Sequence, residues 1–165
     1  MTYYDEISQG YEELHGEEQL KKVELIKQYL KPNPEDKLLD VGCGTGLTTE
    51  PWSCKRFGVD PAPKLIARAR QKDKIKYKIA PAEKIPYPDD YFDYVISITA
   101  IQNFEDIEKG LSEIKRVGKD KFVLTFLKKS PKAELIKSKI KQLFEIKNEI
   151  EEEKDLIFLA QKSSI

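Results

Sequence analysis

Cysteine is scarce in this 165-residue chain, with Cys43 and Cys54 alone, and histidine scarcer still, with only His15. No C-x-x-C pair occurs, so neither a disulfide framework nor a zinc site is indicated. Long apolar runs are missing as well. None approaches the roughly 20 residues of a membrane-spanning helix, and the N-terminus lacks the apolar core of a signal peptide. An excess of either charge is also absent, because 29 Lys and Arg balance 29 Asp and Glu. The chain therefore carries no overall electrostatic footprint of a nucleic-acid binder, although a local patch survives that average. Repeats, linkers and low-complexity segments are lacking too. These absences leave a soluble, cytoplasmic protein without membrane contact as the expectation. Its length suits a single domain over 1–165, able to bury about two-thirds of the surface that its unfolded chain would expose.

What is present centres on Leu38-Leu39-Asp40-Val41-Gly42-Cys43-Gly44-Thr45-Gly46. The first four residues read as a short buried strand. Three glycines at alternate positions then let the backbone turn tightly and lie bare beside a ligand. A parallel strand entering a Gly-rich turn is the usual ligand site of a doubly wound α/β sheet. The dinucleotide fingerprint is G-x-G-x-x-G, whereas here the spacing is G-x-G-x-G, with the acid Asp40 beside the loop. Such an acid would repel a pyrophosphate and suit a cationic amine or sulfonium. A second strand, Arg56 to Asp60, ends in an acid 20 residues beyond Asp40. That is near the spacing at which this kind of sheet places a carboxylate against ribose hydroxyls. A strand-end carboxylate capping the helix after Pro63 is the structural alternative for Asp60, and the two roles are compatible.

Asp40-Val41-Gly42-Cys43-Gly44-Thr45-Gly46 resembles the first motif of the class I S-adenosylmethionine-dependent methyltransferases, in the small methyltransferase-domain branch that includes the quinone-biosynthesis methyltransferases. Gly58-Val59-Asp60-Pro61-Ala62 is similar to the family's second motif. The stretch from Ala80 to Asp93 resembles the third, with Ala82 and Glu83 matching the pair that flanks adenine and Pro81 replacing an acid often found there. The resemblance implies an α/β, Rossmann-like, seven-stranded and mostly parallel sheet, with helices on both faces, an antiparallel last strand and an N-terminal helical lid over residues 1–30. It implies S-adenosyl-L-methionine as cofactor, with contacts from Asp40, Gly42, Cys43, Gly44, Gly46, Asp60, Pro61, Ala82, Glu83 and Thr99. Tyr11, in Tyr4-Asp5-Glu6-Ile7-Ser8-Gln9-Gly10-Tyr11, which resembles the family's Tyr-Asp-x-x-Ala-x-x-Tyr-like opening segment, adds a lid contact, with Tyr3 and Tyr4 nearby in sequence.

The remaining elements follow from patterning. Leu20, Val23, Ile26 and Leu30 mark an N-terminal helix, broken by Lys31-Pro32-Asn33-Pro34. Leu47 to Trp52 reads as a short helical segment after the glycine loop, and Leu65 to Arg70 as a helix. Ile75 to Ile79 reads as an edge strand, Tyr94 to Ile98 as a strand buried on both faces, and Lys121 to Phe126 as a fifth strand. Ile107, Leu111 and Ile114 form a helical stripe, with Gln102 or Asn103 as its cap or as an acceptor contact. A helix over 131–143 precedes a hairpin of Phe144–Ile150 and Leu156–Ala160 that completes seven strands.

No catalytic residue and no metal ligand is legible, so proximity is the expected mode of catalysis. The Asn/Asp/Ser-Pro-Pro-aromatic element of amino-methylating relatives is absent after the fourth strand, and Asn103 stands near where many small-molecule relatives carry a histidine. The expected activity is methyl transfer to a small-molecule acceptor. One alternative is an rRNA or tRNA methyltransferase. It would use the basic 128–141 segment, or a partner protein, since Ile96 to Gln102 also resembles rRNA methyltransferases that work with a small zinc-binding activator. A non-catalytic S-adenosylmethionine-binding module is the other. A dinucleotide-dependent oxidoreductase is disfavoured by the glycine spacing and by Asp40.

Overall fold

A computed structural model describes residues 3–71 and 74–162, with side chains described from residue 14 onward. The chain divides into two units, Met1–Lys31 and Pro32–Ile165. The first is built on helix α1, Tyr3–Ile26, the expected N-terminal helix. Its last bonds run from Lys27 N to Val23 O and from Leu30 N to Ile26 O, and the prolines at 32 and 34 follow.

The second unit holds strands β1 (Lys37–Val41), β2 (Lys55–Asp60), β3 (Ile75–Ile79), β4 (Phe92–Ser97), β5 (Gly118–Leu127), β6 (Phe144–Glu151) and β7 (Asp155–Lys162). Helices α2 (Pro63–Ala69), α3 (Ile107–Val117) and α4 (Ala133–Leu143) alternate with them. The sheet runs β3-β2-β1-β4-β5-β7-β6, with β1 to β5 parallel and β7 antiparallel between β5 and β6. This is the expected seven-stranded, mostly parallel arrangement.

The central strands read as continuous apolar runs because both of their faces are covered. Leu39, Val41, Phe57, Val59, Val95, Phe122, Leu124 and Phe126 share one cluster with Ile107, Leu111 and Ile114 of α3 and Ile136 and Ile140 of α4. Against the other face, Ile66 and Ala69 of α2 pack with Cys43 and Tyr77. β3 lies at an edge, as its lysines predict. The ammonium groups of Lys76 and Lys78 stand 5.6 Å and 4.4 Å from the ring centroids of Phe57 and Tyr87, so the edge presents charge while the stems cover aromatic surface.

Two local expectations are corrected. Residues 47–52 form turns rather than a helical segment. Thr48 and Thr49 direct their hydroxyls back to Asp40, Trp52 Nε1 donates to Thr48 O at 3.0 Å, and Pro51 blocks further winding. The cap of α3 is Asp106, whose Oδ1 accepts from Lys109 N at 3.1 Å; Gln102 and Asn103 lie in a preceding single 3₁₀ turn, Ile101–Asn103.

One side chain fixes the long β3–β4 connection. Arg116 of α3 donates to Tyr87 O and Ile85 O at 2.9 Å each, to Glu113 Oε2 at 2.5 Å and to Asp89 Oδ1 at 2.9 Å. Glu113 Oε1 in turn accepts from Ile85 N at 3.0 Å. Arg116→Met would keep the stem's packing but leave two carbonyls and two carboxylates without this donor. Urea denaturation should show a loss of about 1–3 kcal/mol with an unchanged m-value. An unchanged midpoint would mean that the connection is held by apolar packing alone.

Candidate functional site

The carboxyl ends of β1, β2, β4 and β5 meet at one edge of the sheet, and the glycine loop crosses it. Gly42 N and Cys43 N both donate to Val59 O, at 2.8 and 3.1 Å, which anchors the loop on the end of β2. Gly42, Gly44 and Gly46 all take positive φ, at 79°, 55° and 89°, the left-handed region that side chains resist. Their surroundings differ. A Cβ on Gly42 would stand 2.5 Å from the Cβ of Ala100, and one on Gly46 would collide with the Tyr77 hydroxyl, whereas one on Gly44 would meet nothing within 4 Å. Gly44 therefore faces open space on a loop that is tightly packed at either end.

Two carboxylates hold this loop. Asp60 Oδ2 accepts from Gly44 N at 3.0 Å and its Oδ1 from Ala62 N at 2.9 Å, so it fastens both the loop and the turn that enters α2. Asp60 does not cap α2, the alternative read from sequence: the N-cap residue is Ala62 and no side chain caps that helix, so there the carboxylate holds only the turn before it. Asp40 is fully buried at the end of β1. Its Oδ2 accepts from the hydroxyls of Thr48 and Thr49 at 2.7 and 2.8 Å, while its buried Oδ1 has no donor among the described residues. Burial pushes its pKa up to about 6, opposed by the two threonine hydroxyls and reinforced by the negative charge of Asp60.

The other expected contacts are placed as follows. Cys43 is buried, and burial, with the charges of Asp40 and Asp60, raises its thiol well above the ordinary range, so it contributes a neutral group and no nucleophile. Pro61 is exposed beside Asp60, and Ala82 is buried in the β3–β4 connection. Glu83 turns its carboxylate to Asp106 N, at 3.0 Å, at the start of α3. Thr99, just beyond β4, sends its hydroxyl to Asp155. The side chains of Tyr3, Tyr4 and Tyr11 lie outside the described residues.

Sequence reasoning missed Thr48 and Thr49 as partners of Asp40, Tyr77 as the buttress of Gly46, and Ser97, whose hydroxyl donates to Val41 O at 2.9 Å across β1 and β4. Only the paired threonines, set directly after the glycine loop, left a signal. Among the described residues no cluster could hold a metal ion, and no helix is long and apolar enough to cross a membrane.

Comparison with known proteins identifies the family and the fold. Residues 39–126 match the Methyltransferase domain family. An uncharacterised protein of Methanocaldococcus jannaschii is 30% identical over 120 residues, which is 71% of this chain and 56% of that protein. The ubiquinone/menaquinone biosynthesis C-methyltransferase of Geobacter sulfurreducens is 38% identical over 94 residues, 49% of this chain and 37% of that enzyme. The chain thus spans about half the length of the curated relatives it matches, or less. Among solved structures, a SAM-dependent methyltransferase from Aquifex aeolicus aligns with a TM-score of 0.71 at 18% identity, over 85% of this chain and 88% of its own. A chain from the Haloferax volcanii complex of the Trm112 methyltransferase activator with a methyltransferase aligns with a TM-score of 0.73 at 18% identity, over 96% and 95%.

The buried carboxyl of Asp40 sets a pH dependence. Its pKa rises on folding from an ordinary 3.8 to about 6, so the folded state binds the proton more tightly. Ligand-free stability is therefore greatest at low pH on this account and falls as pH rises through 3.8 to 6, by about 3 kcal/mol in all. Asp40→Asn should lack that falling leg and be the more stable protein at pH 7. Parallel unfolding profiles of the two proteins between pH 4 and 7 would refute the assignment.

Proposed function

The chain belongs to the class I S-adenosylmethionine-dependent methyltransferases, and on that premise we propose that it transfers a methyl group from S-adenosylmethionine to a small-molecule acceptor. The observation that carries this reading is the pairing of an open glycine cradle with a half-satisfied buried carboxylate. Gly44 leaves room for a ligand to lie against bare backbone, and Asp40 Oδ1 awaits a donor or a positive charge. Both features fit a cofactor that carries an ammonium and a sulfonium.

S-adenosylmethionine, when bound, supplies a methyl group on a sulfonium that departs as a neutral thioether. The protein's share is position, charge and exclusion of water. Gly42, Gly44 and Gly46 let the backbone approach. Asp40 offers its carboxylate toward the cationic end, and binding of a cation there would favour its ionised form. Asp60, already orienting Gly44 N and Ala62 N, holds the ribose hydroxyls. Ala82 supplies an apolar wall for adenine, which leaves Glu83 a structural part through Asp106. Cys43 and Pro61 line the loop through their backbone, and so does Thr99, whose hydroxyl is already committed. No side chain is assigned as a base, so acceptors that need no early deprotonation are favoured.

The charge distribution supports a small acceptor over RNA. Within the basic 128–141 segment, Lys128 pairs with Glu151 at 3.3 Å, Lys137 with Glu149 at 3.6 Å and Lys139 with Glu108 at 3.4 Å. Much of the positive charge that the sequence concentrates there is offset by β6, the β6–β7 turn side and α3, which weakens any phosphate-binding stripe. A second reading, in which a partner protein completes the acceptor site, draws on the likeness to the Haloferax volcanii chain, which was solved with an activator and matches over nearly its whole length.

Calorimetry on the purified chain should show S-adenosylmethionine binding and no comparable binding of NAD. Asp60→Ala should weaken the former by about 1.5–3 kcal/mol, the scale of lost hydrogen bonds to a charged group. Gly44→Val should abolish it, because the new side chain would enter the cradle and because a β-branched residue resists the φ of 55° there; the unfolding midpoint reports the cost of that strain to the fold. Preference for NAD, or undiminished affinity in Gly44→Val, would overturn the reading. For the acceptor, release of the demethylated cofactor should be stimulated by small amines that carry a free lone pair at the assay pH, and less by phenols, which need a base. Stimulation by RNA instead would reverse the acceptor assignment.

A further inference from the structure

Thr99 is held in a conformation that its side chain resists. Its φ is +54°, and a β-branched residue in the left-handed region is uncommon and strained unless its surroundings enforce it. The enforcing contacts come from three directions. Thr99 N donates to Thr125 Oγ1 of β5 at 2.9 Å, Thr99 O accepts from Gln102 Nε2 at 2.8 Å, and Thr99 Oγ1 donates to Asp155 Oδ2 of β7 at 2.6 Å. Thr125 Oγ1 donates to the same Asp155 oxygen at 2.8 Å. Asp155 and Thr125 are fully buried, so little water competes for these bonds.

The sharp turn at Thr99 has a definite consequence one residue later. It delivers Ala100 against Gly42, so closely that a Cβ on the glycine would lie 2.5 Å from that of Ala100. The first glycine of the loop is thereby walled on one side by the chain leaving β4, while Gly46 is walled on the other by Tyr77. We propose that Asp155 is a positioning residue for the cofactor loop: through Thr125 and the strained Thr99 it presses Ala100 onto Gly42 and so sets the wall of the cofactor cradle. This rests on the cofactor assignment above. It adds to that assignment a residue outside the three motifs, on the opposite half of the sheet.

A thermodynamic cycle separates this role from a purely structural one. Asp155→Ala should lower S-adenosylmethionine affinity at least tenfold per folded molecule, with the folded fraction taken from calorimetric stoichiometry. Glycine adopts a φ of +54° freely, so in a Thr99→Gly background the same Asp155→Ala change should alter affinity less than threefold. Asp155→Asn, which keeps an oxygen for both hydroxyls, should restore most of the wild-type affinity. Should Asp155→Ala fail to fold, Thr125→Val supplies the same cycle, because it removes the hydroxyl that accepts from Thr99 N.

Ligand-free amide hydrogen exchange gives a second readout, in which protection of Gly42 N and Cys43 N should fall in Asp155→Ala but not in Asp155→Asn. Equal losses of affinity in both backgrounds, or unchanged affinity and exchange with lowered stability, would overturn the proposal. If the wild-type chain itself fails to bind S-adenosylmethionine, the cofactor assignment falls. The exchange measurement still decides whether Asp155 sets the loop.

Discussion

The structure depends on placing a carboxylate, Asp40, where water cannot reach it, at the end of the first strand and directly beneath the glycine loop. An isolated buried carboxylate is costly, and here only one of its oxygens is satisfied by the protein. That requirement shapes the residues that follow. Thr48 and Thr49 must return their hydroxyls to Asp40, which draws residues 47–52 into turns and prevents the helix that a Rossmann-like sheet would ordinarily start here. The elevated pKa records the energetic consequence: burial pushes the carboxyl up to about 6, and the hydroxyls of Thr48 and Thr49 recover part of that cost.

Much of the fold was legible because its signals are local. Buried parallel strands such as Leu38–Val41 and Tyr94–Ser97 declare themselves as mainly apolar runs broken only by Asp40 and Ser97, and the stripe of Ile107, Leu111 and Ile114 has helical spacing whatever it packs against. The glycine loop was legible because positive φ at three alternate positions requires glycine. The Leu47–Trp52 segment misled because its composition permits a helix, while the competing bonds to Asp40 are tertiary. Gln102 and Asn103 misled in a similar way. They stand at a plausible distance from α3, but Asp106 is nearer its first turn and its carboxylate reaches Lys109 N.

The site was half legible for the same reason. Asp40 and Asp60 follow their strands at a spacing that sequence alone exposes. The contacts that decide the loop's surroundings join residues far apart in the chain. Thr99 and Asp155 are 56 positions apart, as are Ser97 and Val41, and no periodicity announces either pair. Glu83 lies in a matched motif, and its carboxylate also accepts from Asp106 N at the start of α3, a bond that its sequence neighbours do not announce.

The topology explains why a carboxylate from the end of the chain reaches this edge. In a parallel strand it is the last residue that lies at the carboxyl edge of the sheet, next to the ligand. β7 runs the other way, so its first residue, Asp155, takes that place and pairs with Leu127 at the end of β5. A tight turn feeds it there, with Glu152 Oε1 accepting from Lys154 N and Asp155 N at 2.7 and 3.0 Å. The single antiparallel strand inserted between β5 and β6 thus does more than complete the sheet. It brings a buried acceptor alongside Thr125, within reach of the turn after β4, and links the late hairpin to a glycine loop more than a hundred residues earlier in the sequence.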